Sequence, residues 1–263
     1  MSKTKVIAFA NNKGGSGKTT TCSNVACAMA MQGKKVLIID GDMQLNLTIS
    51  YFDEESALAF AQNGTNIYTA MKEEKDIANF IVQTPYKNLD IVPSTSLMSS
   101  IEFELFTKWQ REFILKKCLE PTKAKGYYDY ILIDAPPTLG GWVMNVMCAS
   151  DYLIIPVEAS PWGLFGLANM FEFVEKVKAL APKLEVLGIA VTKADERKKY
   201  FKQTMEILKN VDGARLFENY IRVDSAVEWA QDESKPVVAY KKTSRSAIEY
   251  NNLTKEIMQY VNR

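Results

Sequence analysis

Asn12-Lys13-Gly14-Gly15-Ser16-Gly17-Lys18-Thr19-Thr20 decides the fold. The apolar run Val6-Ile7-Ala8-Phe9-Ala10 precedes it and a helix-forming stretch rich in Ala and Met follows, so the order is strand, glycine turn, helix N-terminus. Gly14, Gly15 and Gly17 let main-chain N–H groups turn inward with no Cβ in the way, and those amides, with the helix dipole, cradle an anion. The pattern sets Lys18 on the β- and γ-phosphates of a nucleotide and the Thr19 hydroxyl on Mg2+, with Ser16 and Thr20 completing the cradle. The usual G-x-x-x-x-G-K-[ST] spacing asks for glycine at position 12. This chain has Asn12, which can still visit left-handed backbone space, and a second lysine, Lys13. A glycine-rich turn with incidental lysines is the bland alternative, and the strand and helix around the motif argue against it.

Working outward, apolar runs alternate with helical stretches along the chain. Lys35 to Asp40 is an apolar strand ending in a carboxylate, and Tyr130-Ile131-Leu132-Ile133-Asp134 repeats that design. Such continuous runs mark strands buried on both faces of a parallel sheet. The spacing predicts further strands at 88–93, 151–157 and 184–192, and two or three short helices within 50–86. Helices are predicted at 162–180 and 197–209, at 109–119 with Pro121 as breaker, and at 244–260. The fold class is α/β: one P-loop NTPase domain over 1–263, a mostly parallel twisted sheet with helices on both faces. Asp40 and Asp42 lie just past a strand end, where open α/β sheets take their ligands; turn capping is the competing role for both. Asp134, at a strand tip beside the loop, is placed as P-loop enzymes place the carboxylate that holds Mg2+, and Pro136-Pro137 stiffens the loop after it.

Lys13-Gly14-Gly15-Ser16-Gly17-Lys18-Thr19 resembles the deviant Walker A loop of the ParA/MinD superfamily of ATPases. Asp40-Gly41-Asp42-Met43-Gln44-Leu45-Asn46-Leu47-Thr48 resembles its D-x-D-P-Q-G-N-x-T switch, with Met43 in place of proline and Leu45 in place of glycine. Asp134-Ala135-Pro136-Pro137-Thr138-Leu139-Gly140 resembles its D-x-P-P-S-L-G switch. The likeness spans nearly the whole chain and is closest to short ParA/Soj-type proteins, with no N-terminal helix-turn-helix extension expected. The resemblance implies ATP hydrolysis with Mg2+ in a homodimer. Lys13 would reach across to the partner's nucleotide, Asp42 would position the attacking water, and Asp40 would stand near the magnesium shell. A strand end at 217–222 is likewise implied only by the resemblance. Adenine recognition, implied only by the resemblance, would fall to Thr192 and to Ile221, Arg222 and Asp224; Arg222 stands where the family often has proline, and Thr192-Lys193-Ala194-Asp195 has threonine where the N-K-x-D motif of GTPases has asparagine.

The formal charge of the 263-residue chain is +1, so no global field draws it to a polyanion and any such binding must come from local patches. Lys241, Lys242 and Arg245 form one patch, at the start of the final helix; Arg197, Lys198, Lys199 and Lys202 form another. The resemblance makes these candidates for non-specific DNA contact in the ATP dimer, with hydrolysis stimulated by a ParB-type centromere-binding partner; a solvated basic surface is the plain alternative. Histidine is absent, which removes the commonest general base. Cys22, Cys27, Cys118 and Cys148 make no C-x-x-C pair, which argues against a zinc or iron–sulfur site and against cluster-carrying relatives of the loop. Cys22 and Cys27 read as small buried fillers. Lys3 and Lys5 lead straight into a strand with no signal-peptide pattern, and a cytoplasmic, nucleoid-associated setting is expected. A MinD-like membrane role would need a basic apolar tail after the last helix, which Tyr260-Val261-Asn262-Arg263 does not supply. A cargo-positioning ATPase that recruits protein instead of DNA stays open.

Overall fold

In the computed structural model, which describes residues 4–160, 163–164 and 166–262, seven strands form one sheet. They are β1 (Lys5–Phe9), β2 (Val36–Asp40), β3 (Val82–Gln83), β4 (Leu89–Val92), β5 (Tyr130–Asp134), β6 (Tyr152–Glu158) and β7 (Glu185–Thr192), in the order β3-β4-β2-β5-β1-β6-β7. All neighbours run parallel except the short edge strand β3, antiparallel to β4. β2 and β5 are buried at every position, as their unbroken apolar runs require. Alternate residues feed two cores. Val6, Ala8, Leu37, Ile39, Ile131 and Ile133 face one cluster, which includes Leu115, Val146 and Val174. Ile7, Phe9, Ile38 and Leu132 face the other, with the helix α1 (Lys18–Met31) and the final helix Arg245–Val261. The fold expectation thus holds: a mostly parallel sheet covered on both faces.

Several boundaries differ from the sequence reading. Pro121 does not break a helix; it sits inside Ile114–Lys125. Only one helical N–H is lost there, Lys117 on the turn before is exposed to water, and the Thr122 hydroxyl donates to Asp76 Oδ1 at 2.9 Å, tying down the far half. Residues 217–222 form no ladder strand but make isolated bridges, Ile189 with Leu216 and Ala194 with Arg222. Phe217 and Ile221 still donate to the Ile189 and Val191 carbonyls of β7, but the amides between them are claimed sideways, Glu218 and Asn219 donating to the Glu256 carboxylate at 2.8 and 3.0 Å. The helix expected from 197 starts at Lys199. The one expected from 162 is described from Leu167 on; Trp162 and Phe165, like Lys3, lie outside the described residues. Phe173 belongs to the core, and Phe171 packs against that core. The two-residue β3 was not foreseen, being too short for a periodic signal.

The loop before α1 turns on Gly15 (φ 73°) and Gly17 (φ 82°), while Asn12 keeps a negative φ, so the missing glycine at position 12 is not needed for the turn. A Cβ on Gly17 would also stand 3.2 Å from the Thr192 hydroxyl, which is fixed by donating to the Ser16 carbonyl at 2.8 Å. Gly17→Ala is therefore expected to cost about 1–3 kcal/mol. A thermal melt would check it, and an unchanged midpoint would contradict it.

Candidate functional site

The carboxyl ends of β1, β2 and β5 open onto a cleft of about 730 Å³. The ladder brings their tips together, with Phe9 and Asp40 each paired with Asp134. The cleft is floored by Gly14 to Thr20 and flanked by Asp42 and Thr192.

Lys18 is 6% exposed, and its Nζ donates to the Lys13 carbonyl at 3.1 Å. Burial pulls its pKa below the ordinary value, opposed by Asp134 and Asp42. A desolvated ammonium held mainly by its own loop is well placed to bind an anion. Asp134 is fully buried and neither oxygen has a hydrogen-bond partner. Burial, and then the Asp40 charge, push its pKa well above the carboxylate range; Thr19 and Lys18 lie near enough to oppose the shift, Thr19 without a well-formed bond. An orphaned buried carboxylate next to a threonine hydroxyl fits a hydrated Mg2+, which uses one or two carboxylates plus phosphate oxygens. Among the described residues no group of three or more Cys, Asp and Glu converges as an all-protein metal cage.

Asp40 differs from Asp134 in having its oxygens occupied. It accepts from Thr48 N (2.8 Å), Thr48 Oγ1 (2.7 Å) and Asp42 N (3.1 Å). Burial lifts its pKa to about 6 against those bonds. Asp40 thus pins the following segment, and Asp42, 8% exposed, lines the cleft while accepting from Gln44 N. Leu45 adopts φ 57°, the conformation a glycine would take, so the segment keeps the turn at a cost of about 1–2 kcal/mol.

Lys13 is not part of the cleft lining. Its Nζ is 2.8 Å from Glu158 Oε2, at the end of β6, and 3.4 Å from Ser160 Oγ. At the far end, Thr192 lines the cleft with its hydroxyl committed to the loop. Ile221 is buried, and Arg222 is paired with Glu249 and Glu196. Asp224 accepts from Ala226 N and Ser246 N, both at 3.0 Å. The side chains of Arg222 and Asp224 are therefore committed to structure, though both residues line the cleft. Sequence reasoning missed Gln231, whose Nε2 donates to Thr20 Oγ1 at 3.1 Å, and Tyr250, both on the cleft wall. They sit on amphipathic helices without a motif to flag them. It also missed Glu158, Ser160 and Glu102, whose carboxylate accepts from Gly141 N and Trp142 N at 3.0 and 3.1 Å.

Lys241, Lys242, Arg245, Lys198 and Lys199 are all exposed. Lys241 Nζ lies 4.9 Å from the centre of the Trp229 ring, and Arg245 donates to the Val223 carbonyl. The four cysteines are buried and free. Among the described residues no helix is long and apolar enough to cross a membrane.

A family model described as an AAA domain matches residues 4–186. The sporulation initiation inhibitor protein Soj of Bacillus subtilis is 34% identical over 254 residues, 96% of this chain and 98% of that one. The chromosome-partitioning ATPase Soj of Treponema pallidum is 31% identical over 255 residues, 97% of each. Among solved structures, a putative plasmid partition protein from Borrelia burgdorferi bound to AMPPNP superimposes with a TM-score of 0.78 at 26% identity, covering 98% of both chains.

Proposed function

Because the chain belongs to the ParA/Soj family of partitioning ATPases, we propose that it acts in plasmid or chromosome segregation as an ATP-switched homodimer. As a member it is a P-loop ATPase, and its ligands are ATP and Mg2+. The observation that carries the dimer is the separate placement of the two loop lysines: Lys18 lines the cleft, while Lys13 is outside its lining and held by Glu158.

Lys18 and the amides of residues 14–20 hold the β- and γ-phosphates. Thr19 and Asp134 would hold Mg2+, with Asp40 behind them, and the ion would supply neutralisation of charge developing on the phosphates. Asp42 orients the attacking water. Catalysis is positioning and charge stabilisation, with no nucleophilic side chain among the described cleft residues paired with a general base. Lys13 of the second copy completes the cation set at the γ-phosphate, which makes turnover slow in a monomer and couples nucleotide to dimer by linkage. Adenine lies against the 221–224 segment near Thr192. In the ATP state the paired Lys241, Lys242 and Arg245, with Lys198 and Lys199 beside them, hold DNA by its phosphates until a ParB-type partner triggers hydrolysis. The final helix is built into the core through Ala247, Leu253, Ile257 and Val261, which supports a DNA-bound, cytoplasmic role over membrane anchoring by that helix. Sedimentation with ATP, ADP or no nucleotide, with and without random-sequence duplex, tests the proposal. Doubled mass and DNA co-sedimentation with ATP alone are expected; a monomer in ATP overturns it.

The Lys13–Glu158 pair has side chains 25% and 31% exposed and holds Lys13 on its own subunit. Removing it with Glu158→Gln should release Lys13 and tighten the ATP dimer by up to about fivefold, given about 0.2–1 kcal/mol for such a pair. The dimer dissociation constant measures this, and a weaker dimer would mean that Glu158 acts across the interface.

A further inference from the structure

The most exposed large apolar side chains among the described residues crowd into one short stretch: Phe103 is 81% exposed, Phe106 74% and Trp109 85%. Leu97, 48% exposed, precedes them. The helix Ile101–Phe106 buries Ile101 and Leu105 against the core, yet shows aromatic rings to the outside, so it is apolar on both faces. A helix with that pattern is covered in the working assembly.

The stretch leaves the carboxyl end of β4, on the same sheet edge as the nucleotide cleft. It is also bolted to that cleft. Glu102 accepts from Gly141 N and Trp142 N, the start of the helix Gly141–Ala149 that follows the Asp134 loop. Trp142 Nε1 in turn donates to the Gly41 carbonyl at 2.8 Å, inside the Asp40–Asp42 segment. The patch therefore stands on both segments expected to sense the γ-phosphate.

We infer that Phe103, Phe106 and Trp109 form the apolar part of the surface on which a second copy of this chain sits in the ATP state. The three rings offer about 500 Å². A stable interface needs about 800 Å² per partner, so the patch alone is too small and needs a neighbouring surface. A copy that delivers Lys13 to the cleft must cover further surface beyond these rings, and that surface supplies the remainder. Charge agrees. Glu104 is paired with Lys72, Lys108 with Glu74, Arg111 with Glu112, and Glu102 is spent on amides. No unpaired charge among these selects a charged partner, and a two-fold contact with an identical patch meets no like-charge repulsion.

The inference rests on the ATP-dimer reading, and the test separates the two. Wild type and the triple variant Phe103→Ser/Phe106→Ser/Trp109→Ser are sedimented with Mg2+ and AMPPNP over a range of concentrations, with thermal melts showing that the variant folds. The expected result is a wild-type dimer whose dissociation constant rises at least about 30-fold in the variant, each Kd factor of ten being 1.4 kcal/mol. Binding of a fluorescent ATP analogue by the monomers should be unchanged. The chain has 4 tryptophans, so the Trp109 signal is read as the difference between wild type and Trp109→Phe. It should shift to the blue and lose iodide quenching with AMPPNP but not with ADP. A wild-type dimer that the variant matches, with Trp109 still quenched by iodide, overturns the patch and leaves the dimer reading standing. That outcome would leave the patch to a different protein. A wild type that stays monomeric overturns both.

Discussion

Lys13→Ala is expected to bind ATP much as wild type does and to lose ATP-dependent dimerisation, DNA retention and stimulated hydrolysis. The reason lies in where Lys13 spends its charge. Among the described residues its ammonium contacts Glu158 and Ser160, and the partly exposed pair with Glu158 is worth about 0.2–1 kcal/mol. Lys18, by contrast, is buried under the loop and faces the phosphate site, so removing Lys13 leaves the cis cradle complete. What disappears is a cation delivered from outside the subunit to the transferring phosphoryl group. Cations supplied in that way are worth about 10³–10⁵ in rate where they are the last missing group. Stimulated turnover should therefore fall at least about 10³-fold. The measurements are fluorescent-nucleotide titration, sedimentation with ATP, and partner-stimulated phosphate release. A variant that matches wild type in the last two would remove the cross-subunit role, and a nucleotide-bound crystal structure with Lys13 far from any neighbour's γ-phosphate would do the same.

What the sequence made legible follows from the range of the interactions involved. β2 and β5 read correctly because a strand buried on both faces has to be an unbroken apolar run, and its terminal Asp40 or Asp134 stands out at the point where the chain reaches the ligand edge. The glycine turn read correctly because left-handed backbone at positions 15 and 17 leaves its mark as glycine. Leu45 shows the limit of that logic: the same backbone conformation is held by a side chain that ordinarily avoids it, with Asp40 gripping Thr48 and the Asp42 amide around it. Pro121 misled for a related reason, since one missing N–H on an exposed turn is outweighed by the packing of the rest of the helix. Contacts between distant segments left no local trace. Lys13 meets Glu158 across 145 positions and Gln231 meets Thr20 across 211, and neither partner lies in a pattern that spacing could reveal. The roles assigned to Asp40, Arg222 and Asp224 from the motifs are narrowed by geometry, because their side chains are already engaged within the protein.

Replacing Lys241, Lys242 and Arg245 together by glutamine is expected to abolish DNA retention while basal ATP turnover persists. Each of these side chains is exposed, and together they open the final helix, whose own capping is done by Ser244, donor of no charge, accepting from Ala247 N at 3.2 Å. Their direct contacts, the Trp229 ring for Lys241 and the Val223 carbonyl for Arg245, carry no formal charge, in contrast to Arg197, which is spent on Asp195 at 2.8 Å. Arg245 also lies near enough to Glu196 to act on its carboxylate, so this patch adjoins the stretch carrying Lys198 and Lys199 on one rim. With two subunits the substitution removes up to about six phosphate contacts, and the slope of log affinity against log salt should flatten by about 5. Such a loss exceeds what the remaining lysines can hold, because doubling a weak patch across a dimer multiplies its affinity and removing three of its five cations per subunit reverses that gain. Gel shifts with ATP and a random duplex at rising salt read both the loss and the slope. If wild-type binding shows no salt dependence, these residues are not on the phosphates, and the segregation reading loses the contact through which nucleotide state would control DNA.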